Sequence, residues 1–187
     1  MSKSSKKTEI IFDVKDGEIF EIAGMEFIKF PDVDGRTPAV MKDCAFNSFF
    51  GDNNDLRQSE VLKIMETEIL PKIIEAVGEE NICTIKTDLR TLDGLEPYGE
   101  MYSRISLPTF DFYRDNVQIF DKHKINDWWW LATPESATVH SNDWWIVCVS
   151  PSGGIGISFC FSDDCGVRPF CIFNSSIFGS SVIADGR

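Results

Sequence analysis

Positive charge and metal-ligating side chains are both scarce in this chain, and each shortage closes off a class of function. Against 30 Asp and Glu stand only 18 Lys and Arg, giving a formal net charge of −12. A phosphate backbone is gripped by clustered Lys and Arg, so this balance argues against a nucleic-acid partner. Acidity beyond that speaks to solubility, not to fold. Only His123 and His140 are histidines, and no Cys-x-x-Cys pair occurs. A zinc cluster has too few ligands at usable spacing, so no metal and no cofactor is expected. No apolar run reaches the ~20 residues of a membrane-spanning helix. The basic start, Met1-Ser-Lys-Ser-Ser-Lys-Lys7, resembles the first part of a signal peptide, but Thr8 to Phe12 is too short for the apolar segment that must follow. Asp13, Lys15, Asp16 and Glu18 then close it off. The expectation is synthesis without a signal peptide in a reducing cytoplasm. The six cysteines (Cys44, Cys83, Cys148, Cys160, Cys165, Cys171) are then most simply free and buried, with a bridge among the last four left unassigned.

What the chain does contain is unevenly placed. All five tryptophans fall between Trp128 and Trp145, and after Trp145 there is no Lys, Glu, Gln, Met or Trp to the end at Arg187. A tryptophan-rich frame followed by a restricted vocabulary reads as a recognition surface more than as a catalytic centre. With 187 residues, 43% of them hydrophobic, there is material for one domain with a real core. We expect a disordered basic tail over 1–7 and a single domain over 8–187, split into an N-terminal scaffold (8–126) and a C-terminal recognition region (127–187).

Alternation and turn signals predict a β-meander over 8–42: Glu9 to Val14, the turn Lys15-Asp16-Gly17, Glu18 to Ala23, Met25 to Phe30, and Ala39 to Lys42. Asp55 caps a helix, with Gln58 at the reciprocal position of a capping box. Leu62, Met65, Ile69, Ile73 and Val77 form its apolar stripe, Pro71 must kink it, and Gly78 stops it. Asn81 to Thr87 reads as a strand and Asp88 to Gly99 as a loop. Thr109 caps a second helix whose face carries Phe110, Tyr113, Val117 and Phe120. Beyond Lys122 come short strands: Ile146 to Ser150, a hairpin turn at Pro151-Ser-Gly-Gly154, Ile155 to Ser162, and Arg168 to Phe173. The fold class is α+β, with two helices on an irregular antiparallel sheet.

Among candidate sites, Trp128-Trp129-Trp130 cannot all face one way in a strand, so Trp129 or Trp130, or both, belong to the core. Trp144-Trp145 follows the polar turn His140-Ser-Asn-Asp143, and alternation puts one ring in and one out. Arg168, in Gly166-Val-Arg-Pro169, is expected to tie loops to backbone carbonyls with its fork of donors. Asp163-Asp164 matches no calcium loop and reads as a solvated turn. No local motif joins Cys160 or Cys165 to His140 as nucleophile and base. The expected ligand-binding residues are Thr138, His140, Asn142, Trp144, Trp145, Ile157, Phe159, Phe161, Asp163 and Asp164. Trp129, Trp130, Gly166, Arg168 and Pro169 are expected to be structural.

Three strings carry a family likeness: Trp129-Trp-Leu-Ala-Thr-Pro134, Val147-Cys-Val-Ser-Pro-Ser-Gly153, and Gly166-Val-Arg-Pro-Phe-Cys-Ile-Phe173. Together they resemble a family of bacterial and phage domains in which a Trp-Trp-Leu block precedes Gly-Val-Arg-Pro. Gly17 to Ile28, Asn54-Asp-Leu-Arg57 and Ile105 to Thr109 extend the resemblance upstream. That family is similar to the formylglycine-generating-enzyme branch of the C-type-lectin-like fold, some of whose members are variable proteins of diversity-generating retroelements. The resemblance implies a C-type-lectin-like domain that recognises a protein or bacterial-surface ligand in a phage or prophage, virion association included, and catalyses nothing. It also implies that randomised template adenines shaped the tail. An AAC or AAT codon so altered yields Ile, Ser, Phe, Cys, Asp, Gly or Val but never Lys, Glu, Gln, Met or Trp, and Ser136–Asp143 and Ile155–Cys165 contain only accessible residues. The alternatives are a degenerate oxidase of the formylglycine-generating type using Cys160 and Cys165, and a structural component of a virion or bacterial assembly.

Overall fold

The alternating residues that follow the basic start build a sheet whose last strand comes from the far end of the chain. The computed structural model describes residues 6–161 and 165–182. β1 (Lys6–Ile10), β2 (Ile19–Ile22), β3 (Met25–Lys29) and β4 (Arg36–Met41) are the expected meander. Two details differ. Lys6 and Lys7, read as tail, lie in β1, and the strand expected to run to Val14 yields to a 3-10 turn at Ile11–Asp13. Ala23 and Gly24 join β2 to β3 with φ of 54° and 75°, the doubly left-handed geometry that a two-residue hairpin turn demands.

The remaining strands are β5 (Phe46–Asn47), β6 (Ile85–Asp88), β7 (Glu100–Ser103), β8 (Trp128–Pro134), β9 (Trp145–Val149), β10 (Ile155–Phe159), β11 (Cys165–Val167), β12 (Phe170–Asn174) and β13 (Phe178–Val182). A six-stranded antiparallel sheet has the order β1-β13-β2-β3-β4-β12, so β13 is inserted between β1 and β2. A five-stranded sheet has the order β10-β9-β8-β11-β5, in which β11 runs parallel to β8. β6 and β7 form a separate hairpin. The expected strand Asn81–Thr87 therefore starts late, at Ile85, because Glu79–Asn81 is still a 3-10 turn.

The first helix also starts later than its capping box suggests. Asp55 accepts from the Arg57 amide at 3.1 Å but caps only a 3-10 turn, Leu56–Gln58. Ser59 is the true cap, accepting from the Leu62 amide at 3.1 Å, and opens α1 (Glu60–Ile64). A π-helical turn, Met65–Ile69, leads into α2 (Leu70–Val77). That wider turn lies directly before Pro71, whose ring and missing N–H disrupt a regular α turn. Gly78, at φ 83°, ends the segment as expected. Thr109 caps α3 (Phe110–Asp115) through the Phe112 amide, and α4 (Val117–Phe120) follows a break at Asn116. The break rotates the helical face. Tyr113 and Phe120 are buried, while Val117, expected beside them, is exposed.

β8 and β9 are the hub of the molecule. One face of their sheet (Trp130, Ala132, Ile146, Cys148) packs into a core shared with α1, α2 and the six-stranded sheet. The other (Trp129, Leu131, Val147, Val149) packs into a second core with Tyr113, Phe120 and Phe30. A strand covered on both sides has no polar positions to alternate, which is why Trp-Trp-Leu-Ala and Ile-Val-Cys-Val read as continuous apolar runs. Among the described residues, no helix is long and apolar enough to cross a membrane.

Candidate functional site

Among the described residues β10 is an edge strand of the five-stranded sheet, and its chemistry is unusual for an edge. The Cys160 amide donates to the Trp144 carbonyl and the Ser150 amide to the Gly154 carbonyl, both at 2.8 Å. Antiparallel pairs alternate, so the even-numbered residues of β10 bond β9 and the odd-numbered ones turn N–H and C=O outward. Those same odd residues carry the large side chains. Ile155, Ile157, Phe159 and Phe161 are all exposed, Phe161 to 60%. Their rings connect back to the sheet: Trp145 to Phe159 at 3.8 Å and Phe159 to Phe161 at 5.1 Å between centroids. Trp144 is 52% exposed while Trp145 is half-buried, close to the one-in, one-out expectation. No charged residue occurs from Trp144 to Phe161.

The loop from β8 to β9 reaches the same end of the sheet, because Pro134 pairs with Ile146 and Phe159 with Trp145. Thr138 and His140 are exposed on it; Asn142 is half-buried and donates to Glu135 at 2.6 Å. Asn54, fully buried, braces this loop from beneath. Its side-chain amide donates to the Ser136 and Trp145 carbonyls at 3.0 and 2.8 Å, its oxygen accepts from the Tyr98 hydroxyl at 2.8 Å, and its backbone N–H donates to the Asp143 carbonyl. A hydrogen bond from Thr91 is the first cause holding the Asp93 carboxyl below its usual range, against burial and helped by Ser136 and His140. Ser136, His140 and Asp93 share residue types with a hydrolytic triad but not its geometry. Ser136 donates to the Asp93 oxygen that also meets His140 Nδ1, at 2.7 and 3.1 Å, so the ring is not interposed between acid and hydroxyl.

The residues expected to be structural are buried. Trp129 and Trp130 are 2% and 0% exposed. Arg168 is 1% exposed. Its Nε and Nη2 donate to the Met41 and Lys42 carbonyls at 2.9 and 2.7 Å, its guanidinium lies 4.8 Å from the Trp129 ring centre, and burial pulls its pKa down to about 10. The Pro169 carbonyl accepts from the Met41 amide, continuing the same seam. A Cβ at Gly166 would stand 2.1 Å from Cys44 Sγ, so only glycine fits there. Asp163 and Asp164 lie outside the described residues. None of the six cysteines forms a disulfide, and Cys44 and Cys83 are only half-buried. Burial pushes the Cys160 thiol up and that of Cys44 up to about 12, which disfavours the nucleophilic thiolate.

No family model, curated protein or solved structure matches this chain. The surface must speak through its own chemistry. It joins an uncharged aromatic edge to a loop whose tips are exposed and whose base is pinned. Sequence reading missed that pin: Asn54 looked like part of a helix start, and nothing local distinguishes a capping asparagine from one that reaches across to residues 136–145. Asn54→Ala is expected to cost about 1–3 kcal/mol by stranding buried hydrogen-bonding groups. Amide exchange should speed up selectively over 136–145, and unchanged protection there would remove the bracing role.

Proposed function

We propose that this chain is a non-catalytic binding protein. Its ligand, a protein or bacterial-surface component, docks on the edge formed by Trp144, Trp145, Ile157, Phe159 and Phe161 with the loop tips Thr138, His140 and Asn142. The observation that carries this is the Phe159–Phe161 ring pair, exposed along an edge that has no charge and seated on half-buried Trp145. Edge strands are ordinarily protected by Lys, Pro or a covering element, and clustered exposed aromatics are typical of binding hot spots. Phe159→Asp with Phe161→Asp should abolish ligand capture without lowering the unfolding midpoint, since both rings are exposed.

The finer reading is a C-type-lectin-like scaffold diversified by a retroelement. Its support is the accessible vocabulary of Ser136–Asp143 and Ile155–Cys165, set beside buried Trp129, Trp130, Gly166 and Arg168 that would be fixed frame. The test is the gene's own locus. A near-identical non-coding repeat should lie near its 3′ end beside a reverse-transcriptase gene, with every mismatch at a template adenine. Mismatches should concentrate in codons for exposed Thr138, His140, Ile155, Ile157, Phe159 and Phe161. Those for Trp144, Trp145, Gly166 and Arg168 should match the repeat, and buried Ser136, Ala137 and Cys160 should tolerate replacement poorly. Mismatches at other template bases, or a complete locus with no repeat, would end the retroelement reading and leave the binding edge standing. The free backbone of β10 equally suits self-pairing, so a dimer that Ile157→Lys dissociates would move the assignment to a component of an assembly.

A further inference from the structure

Away from the recognition edge, a cavity of about 360 Å³ opens between the β3–β4 turn, β6, β12 and the start of α3. That is within the size range of small-molecule sites, roughly 300–1,000 Å³. Its body is apolar, formed by Pro38, Ile85, Leu107, Phe112, Phe170 and Ile172. Three polar groups converge on it with hydrogen-bonding capacity to spare. Arg36 lines it, and among the described residues its guanidinium has no ion-pair partner, whereas the other lining cation, Lys86, is held by Glu100 at 2.5 Å. Thr87, 3% exposed, shares one hydrogen bond of 2.9 Å with Ser106, so two hydroxyl protons serve a single bond. The Thr109 hydroxyl accepts from the Phe112 amide and keeps its own proton for another acceptor.

The unspent donors of this lining, the Arg36 guanidinium and the threonine hydroxyls, outnumber its one carboxylate, Asp34, so the group they best take is an acceptor. We propose that the cavity binds a small molecule with an apolar body and a single carboxylate. Arg36 takes the carboxylate, for which its planar fork is matched, and the lining hydroxyls add neutral contacts. A polyanion is the wrong occupant: Asp34 also lines the mouth, one free cation cannot balance several charges, and the chain's net charge of −12 repels them. An amine is the poorer occupant: Asp34 offers it a counter-charge, but the unpaired Arg36 in the same lining repels a second cation. This site is separate from the recognition edge and does not depend on what docks there.

The experiment is calorimetric titration of the full chain with decanoate and with decanol, which share an apolar body and differ in charge. Decanoate should bind saturably with one site, and decanol about tenfold more weakly, the difference expected of one charge-assisted contact. Arg36→Gln should bring decanoate down to the decanol level and leave decanol unchanged. Ile172→Trp should fill the cavity and abolish both; if that variant does not fold, Arg36→Gln, on an exposed side chain, carries the test alone. Phe159→Asp should alter neither affinity. The proposal is overturned if decanoate shows no saturable binding, if the two probes bind equally to the unmodified chain, or if Arg36→Gln leaves decanoate affinity intact.

Discussion

Trp130→Ala is expected to cost about 3–5 kcal/mol, the usual penalty for deleting a buried large aromatic. The Trp130 ring is fully buried, meets Phe50 edge-on at 5.8 Å, and donates from Nε1 to the Ser48 carbonyl at 2.9 Å. Alanine opens a cavity in the larger core and leaves that carbonyl without its donor. Trp129→Ala should cost a similar amount in the other core and also removes the aromatic face on which Arg168 rests. Against a typical domain stability of about 5–15 kcal/mol, either loss is a large fraction. Urea unfolding of both variants is the check. If one midpoint stays put, the sheet does not separate two cores in the way its burial pattern requires.

Lys29→Met should destabilise by a comparable amount, about 3–5 kcal/mol, as expected when one member of a buried ion pair is removed. Lys29 is 2% exposed, and its ammonium donates to the Phe12 and Val14 carbonyls at 2.9 and 2.8 Å and pairs with Asp32 at 2.7 Å. Thr37 and Ser175 donate to the same Asp32 carboxylate. Burial pushes the Asp32 pKa up, but the Lys29 hydrogen bond, the two hydroxyls and the Lys29 charge together hold it below its ordinary 3.8. A carboxyl whose folded pKa is depressed stabilises the fold above its unfolded value, and that contribution is lost as pH falls through the folded value. The unmodified protein should therefore lose stability on acidification below about pH 4. In Lys29→Met that acid limb should flatten, because the main opponent of burial is gone. Unfolding midpoints between neutral and acid pH would show it, and an unchanged acid limb would exclude Asp32 as its source.

How much of this was legible in the sequence divides by distance along the chain. Thr109, Gly78 and the Pro151–Gly154 turn act through neighbours within a few residues, and local rules found them. The capping box expected at Asp55 and Gln58 does not close: Asp55 accepts from the Arg57 amide and its own amide donates to Asn53, while Ser59 offers the helix a cap four residues on. Val117 fell off its expected face because a periodic pattern cannot show the break at Asn116. In the surface itself, exposure of Ile157, Phe159, Phe161 and Trp144 followed from alternation around a recognisable hairpin. Lys29, Asn54, Asp93 and the Arg36 cavity were invisible because each joins segments far apart in sequence. A lysine in a strand or an asparagine before a helix looks the same whether it meets water or a distant carbonyl.

The insertion of β13 between β1 and β2 sets the order in which the protein can be made. Among the described residues β1 has β13 as its one hydrogen-bonded neighbour, so it lacks that partner until residues 178–182 have been synthesised. At roughly 5–20 residues per second, that leaves β1 and one edge of β2 waiting on the order of ten to thirty seconds on the ribosome. During that interval β2, with Phe20 and Ile22, presents an apolar edge to whatever chain is near. Synthesis halted after β12 would make the exposure permanent. Products truncated there should collect in aggregates or on chaperones, whereas β13, once made, covers that edge of β2.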